Sequence, residues 1–251
     1  MSHLHLPDGV LPWWLWVSGF LVAGLLLAII SRRHREDRSD RLALVGALSA
    51  LMLAAMALPL GPLGYHLSLA PLVGMLLGGG LGFVSACVVN AILALLGHGG
   101  VTVIGLNALI TGLAAALASR AYRLLAHRTR PFWAAAIAAV TGLVGSLAAW
   151  LLVVGIASTT PGPGELRAHH EAGHGVEETV LPRDFHGIVW QRFARLVVLS
   201  LPFWIVGTLA EAVVAGGTVQ FLARVNPSLL PAHAREPEKP LERRSASPER
   251  A

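Results

Sequence analysis

A chain of 251 residues in which 55% are hydrophobic and 13% charged, with a mean hydropathy of +0.65, is too apolar for a soluble domain of its size. Its net charge of +5 sits in arginine clusters between apolar runs, without the basic face and aromatic or polar readers that nucleic-acid binding demands. The single cysteine, Cys87, excludes an intramolecular disulfide and reads as a small buried hydrophobe.

The chain opens Met1-Ser2-His3-Leu4-His5-Leu6-Pro7-Asp8-Gly9. Imidazoles and a main-chain amine are donors that Ni²⁺, Co²⁺ and Cu²⁺ prefer, so this segment is a candidate metal grip. Two forms are open. With Met1 kept, its amine, two amides and His3 suit a square-planar ion; with Met1 removed, Ser2 supplies the amine and His3 becomes the second residue. A solvated tail is the plain alternative. Asp8 either caps a helix beginning after it, the preferred reading, or accepts an N–H from a ligating imidazole and fixes its tautomer.

No Lys or Arg precedes the first apolar run, whereas Arg32, Arg33, Arg35 and Arg38 follow it. A cleaved signal has the opposite polarity, so Leu11–Ile30 reads as a retained first span. Runs such as Ala43–Leu60 and Ala134–Ile156 are also long enough to cross a hydrocarbon core, which takes roughly 18 or more residues. The basic loops at 32–41 and 120–130 belong on the cytoplasmic side by the positive-inside rule, which sets the N-terminus outside. An even number of crossings must then separate them. The uncharged stretch from Leu67 to Leu96 is therefore split into two short segments near Gly78-Gly79-Gly80-Leu81-Gly82, where glycine permits a reversal. Short spans of this kind are tolerated when re-entrant or buried among neighbours.

The expected fold is an all-α integral membrane protein of about seven transmembrane helices, near 11–30, 42–60, 67–79, 82–97, 101–119, 132–157 and 193–222. The N-terminus lies outside and the C-terminus in the cytoplasm. Residues 1–225 form one metal-binding membrane domain, with a His-rich extracytoplasmic loop at about 158–190. The tail 226–251, poor in large apolar residues and rich in Pro, Arg, Glu and Ser, reads as disordered.

By this topology the N-terminal segment, the loop ending in Gly64-Tyr65-His66 and the loop Gly97-His98-Gly99-Gly100 gather at one surface. His66 alone reads as well as an interfacial histidine as it does a ligand; with His3, His5 and an amine it completes a four-donor set. The metal candidates are thus Met1, Ser2, His3, His5 and His66, with Asp8, His98 and Asn107 behind them. Asn107, in an apolar span, needs a hydrogen-bond partner, for which a neighbouring backbone or the N-terminal segment is suited. Glycines such as Gly74, Gly105 and Gly112 suit close helix contacts, within the chain or with a coupling partner.

His170-Glu171-Ala172-Gly173-His174 matches the HExxH pattern of zinc metalloproteases. Gly173 and the flanking Pro161-Gly162-Pro163-Gly164 and Gly175 argue for a loop and against the firm helix that chemistry requires. With His169, His186, Glu165, Glu177 and Glu178, the segment reads as a weak metal-gathering or merely hydrated loop. An intramembrane or membrane-surface metalloprotease is the alternative function.

His5-Leu6-Pro7-Asp8-Gly9, Gly64-Tyr65-His66-Leu67 and Gly97-His98-Gly99-Gly100-Val101-Thr102-Val103-Ile104-Gly105-Leu106-Asn107 resemble, in order, three motifs of the CbiM/NikM family. Those proteins are substrate-capture subunits of energy-coupling-factor cobalt and nickel transporters, and the resemblance spans roughly residues 3–225. It implies a non-enzymatic inner-membrane subunit that captures Co²⁺ or Ni²⁺ as cargo. It implies partners too: a transmembrane coupling subunit, ATPase subunits and a small accessory membrane subunit. It carries metal ligation to His5 and His66. Met1-Ser2-His3-Leu4 ahead of the motif leaves open whether His3 or His5 ligates. The sequence contains no G-x-x-x-x-G-K-[ST], so ATP hydrolysis falls to other chains.

Overall fold

Residues 6, 8–9, 11–33, 38–58, 66–158 and 185–230 are described by the computed structural model. Among them are seven α-helices, one 3-10 turn and no strand: α1 (Trp13–Arg33), α2 (Arg38–Ala57), α3 (Ala70–Leu77), α4 (Gly79–Leu95), α5 (Ile104–Leu125), α6 (Pro131–Ser158), α7 (Phe185–Val225) and the turn Pro227–Leu229. Four stretches are long and apolar enough to cross a membrane: Trp13–Arg33, Ile104–Leu125, Pro131–Ala157 and Leu201–Val225. Leu42–Ala57 and Gly79–Leu95 are shorter apolar helices. Leu21, Leu25, Leu95, Val206 and Phe221 point outward, as befits surfaces facing lipid.

The expected break in the 67–96 stretch falls at Gly78 alone. Its φ of 86° and ψ of 161° suit glycine, while the Gly78 N–H still donates to the Gly74 carbonyl at 2.9 Å and closes α3. A Cβ on Gly82 would lie 3.0 Å from the Gly74 Cα. In a continuous helix residues eight apart are separated by about 12 Å, so the chain folds back here. His66, ahead of α3, and His98, after α4, lie edge to face, so the pair starts and ends at the same end of the bundle. The even number of crossings is preserved. Seven helices are found as expected, and the third is one of the short ones: α3 has 8 residues, about 12 Å of helix, and cannot cross a core of about 30 Å. Buried along nearly its whole length, it is an interior half-helix.

Other boundaries shift for one reason. Counting apolar residues ended the fifth helix at 119, before Arg120, yet α5 continues to Leu125. A helix satisfies its own backbone regardless of side chain, and arginine lays its stem along the surface while its head reaches outward. Arg123 Nη2 donates to Ser119 Oγ at 2.9 Å on the same helix. Likewise α2 starts at Arg38, where 42 was expected, and α7 spans Phe185–Val225, against 193–222. Beyond 225 the chain adds the 3-10 turn, and Leu230 is fully buried.

The helix α5 is central, with α1, α3, α4 and α6 packed against it. Small residues permit this: α5 buries Gly105, Ala108, Gly112, Ala114, Ala115 and Ala118. One close crossing sets Gly105 on α1, where an added Cβ would come 2.6 Å from the Phe20 backbone nitrogen and 2.7 Å from the Gly19 carbonyl carbon. Backbone cannot rotate aside, so Gly105→Ala is expected to destabilise the protein by about 1–3 kcal/mol. Gly24→Ala on the open face of α1, with nothing within 4 Å, should change stability little. Thermal unfolding of the two variants in detergent checks this, and equal midpoints would contradict it.

Candidate metal-capture site

The N-terminal segment is fastened across the first turn of α5. Leu6, 2% exposed, packs with Leu11, Leu15, Val103, Leu106 and Ile110. Its backbone N–H donates to Asn107 Oδ1 at 2.9 Å, and Asn107 Nδ2 donates back to the Leu6 carbonyl at 3.2 Å. The Gly100 N–H donates to the same carbonyl at 3.2 Å. The carboxamide thus pairs with the segment as a neighbouring peptide group would, satisfying polar atoms that burial would otherwise make expensive. Asn107 is the tie to the N-terminal segment that its position in an apolar helix called for.

Two residues on, Asp8 accepts hydrogen bonds from Val101 N–H at 2.9 Å, Thr102 N–H at 2.8 Å and the Thr102 hydroxyl at 2.5 Å. These donors, the Thr102 hydroxyl foremost, hold its carboxyl below the usual carboxylate range. Contrary to the preferred reading, Asp8 does not cap a helix that follows it; it bonds the turn entering α5, 93 and 94 residues away. The fit requires Gly100, because a Cβ there would sit 2.5 Å from the Asp8 backbone nitrogen.

Histidine donors converge beside this clasp. His98 stands two residues before Gly100, and its ring centroid lies 6.2 Å from that of His66, with the planes at 78°. His66 is half-buried at the mouth of the α3–α4 hairpin. Burial first, and then the charge of His98, push its imidazole below the ordinary histidine value. That favours the neutral ring a metal ligand must present. The path into α3 is fixed by a residue that sequence reasoning missed: Glu211 of α7, 3% exposed, accepts the Ser68 N–H at 2.7 Å. The available signal was a lone acid in the otherwise apolar Leu201–Val225.

Met1, Ser2, His3 and His5 lie outside the described residues, as does the loop holding His170, Glu171 and His174. Among the described residues no group of three or more His, Cys, Asp or Glu could hold a metal ion. His66 and His98 on their own do not complete a coordination sphere, so any complete site here draws further donors from beyond that set.

A half-helix hairpin with two histidines at its mouth, Leu6 and Asp8 bonded across the start of α5 and four apolar helices of spanning length together define a multi-pass membrane protein. The family model described as the cobalt uptake substrate-specific transmembrane region, CbiM, matches residues 5–229, and the chain belongs to that family. Membership makes it a membrane component of transition-metal uptake, a transport protein and not an enzyme. The fold is shared with a solved structure described as a truncated transition metal transporter, at 18% identity and a TM-score of 0.67, covering 88% of this chain and 98% of that one. A second, described as a transition metal transporter, has 20% identity and a TM-score of 0.68, covering 88% and 93%. No curated protein matches the chain.

Proposed function

We propose that this protein is the substrate-capture subunit of an energy-coupling-factor transporter in the cytoplasmic membrane, and that it binds Co²⁺ or Ni²⁺ as cargo. His66 ligates the ion together with donors of the N-terminal segment, for which His3 and His5 are the candidates. The observation that carries this reading is the clasp: Leu6, adjacent in sequence to His5, is bonded to Gly100 and Asn107 beside the neighbouring rings of His66 and His98. A clasp at Leu6 and Asp8 brings the nitrogens of the preceding residues within reach of a second ligand, which reduces the ordering that binding must otherwise impose.

The arginines at 32–41 and 120–130 support a cytoplasmic placement for those loops, with the clasp and the histidines on the opposite side. Capture is therefore extracytoplasmic. Release inward is driven by a transmembrane coupling subunit and ATPase subunits, with a small accessory membrane subunit as a further partner. Nitrogen donors bind both cobalt and nickel, and selection between them rests on geometry and supply.

Titration calorimetry of the purified full-length protein tests the reading. Ni²⁺ or Co²⁺ should bind tightly at one ion per chain, while Mg²⁺, which prefers oxygen ligands, should not compete. A variant with both His170 and His174 changed to Ala should keep that binding. Absence of binding by the native protein, or its loss in the loop variant, would overturn the assignment.

A further inference from the structure

We infer that Glu211 is a positioning residue for metal capture, acting through the backbone of Ser68 to set the place of His66. This inference rests on the proposed role of His66 as a ligand. Glu211 is the sole acid in the apolar stretch Leu201–Val225 and is 3% exposed, a costly placement for a carboxylate without a compensating bond. Its Oε1 accepts the Ser68 N–H at 2.7 Å, a short distance of the kind that charge-assisted bonds show.

The bonded residue matters more than the bond. Ser68 stands two residues after His66 and uses its own Oγ to accept the Ala70 N–H at 3.1 Å at the start of α3. Between them Leu69 adopts φ 52°, a left-handed conformation unusual for a branched side chain. The segment leading from His66 into α3 is thus short and bent; the His66 ring bonds the backbone of Met56 and Leu58 at the end of α2, and Ser68 ties the segment to α7. The tie to Glu211 fixes where the chain leaves His66 for α3. Without it, the segment can relax from its bend and the ring moves with it.

Reach and charge separate cleanly in two conservative variants. Glu211→Gln keeps an oxygen acceptor at the same distance and loses the charge. Glu211→Asp keeps the charge and withdraws it by one methylene, beyond hydrogen-bond range of Ser68. If Glu211 positions His66, the Gln variant binds Ni²⁺ within about threefold of native, whereas the Asp variant binds it about tenfold or more weakly, matching the loss of one hydrogen bond to a charged group. The d–d absorption of the Asp variant loaded with Ni²⁺ should shift as well, because the ligand field reports the geometry of the nitrogen donors. Native-like affinity in the Asp variant with loss in the Gln variant would mean that the carboxylate acts through its charge, and would overturn the inference. So would native-like affinity and an unshifted spectrum in both, or equal loss in both. The His66→Ala variant, titrated alongside, tells this failure from the larger one: if it still binds as tightly as native, the proposed ligand itself is wrong.

Discussion

Replacing His66 with alanine is expected to weaken Ni²⁺ or Co²⁺ binding by more than about 100-fold while leaving the helical bundle folded. Removing a group that only orients a ligand typically lowers metal affinity by about 10–100-fold, and removing a ligand should exceed that. The ring is half-buried and held toward its neutral form, so in the native protein little proton release opposes binding. It belongs to none of the three buried apolar clusters that hold the helices together, which is why the fold should survive its loss. Calorimetry and circular dichroism on the same preparation measure both quantities. An unaltered affinity would remove His66 from the site, and ligation would then pass to the neighbouring ring, His98.

The second large effect is expected at Asn107. Substituting leucine preserves approximate volume but deletes both the acceptor of the Leu6 N–H and one donor to the Leu6 carbonyl. The carbonyl keeps its bond from Gly100, whereas the buried N–H is left without its side-chain partner, at a cost of about 1–3 kcal/mol. The N-terminal segment should loosen at Leu6, whose buried N–H has lost its partner, while Asp8 keeps its bonds to Val101 and Thr102. Metal affinity should therefore fall by about 10–100-fold, with the thermal midpoint of the bundle little changed. Protease accessibility ahead of Gly9 should rise in parallel. Tight binding with an exposed N-terminal segment would show that the clasp is irrelevant to capture.

Sequence reasoning reached the architecture where single residues decide it. The 67–96 stretch had to break somewhere near Gly78–Gly82 because the charge of two loops forbade an odd number of crossings. The fold honours that with a reversal, while making α3 an interior half-helix that hydropathy alone does not distinguish from a short span. Asn107 could be read as needing a partner because an amide in an apolar span is costly unless it is hydrogen-bonded. Asp8 was legible as a hydrogen-bond acceptor, but its partners were not, since a bond across 93 residues leaves no local trace. Glu211 was passed over for the same reason: its role becomes visible only once α7 is laid against the segment after His66. The pairing of His66 with His98 follows from the hairpin and so was legible only as a shared surface.

Anomalous diffraction from crystals of the full-length protein grown with Ni²⁺, recorded at the nickel edge, tests the central claim most directly. The account predicts one strong peak about 2 Å from an imidazole nitrogen of His66, the usual length of a metal–histidine bond, with a nitrogen of the N-terminal segment completing the coordination. A peak instead on His170 and His174, or none near His66 in protein that demonstrably binds the ion, would contradict it.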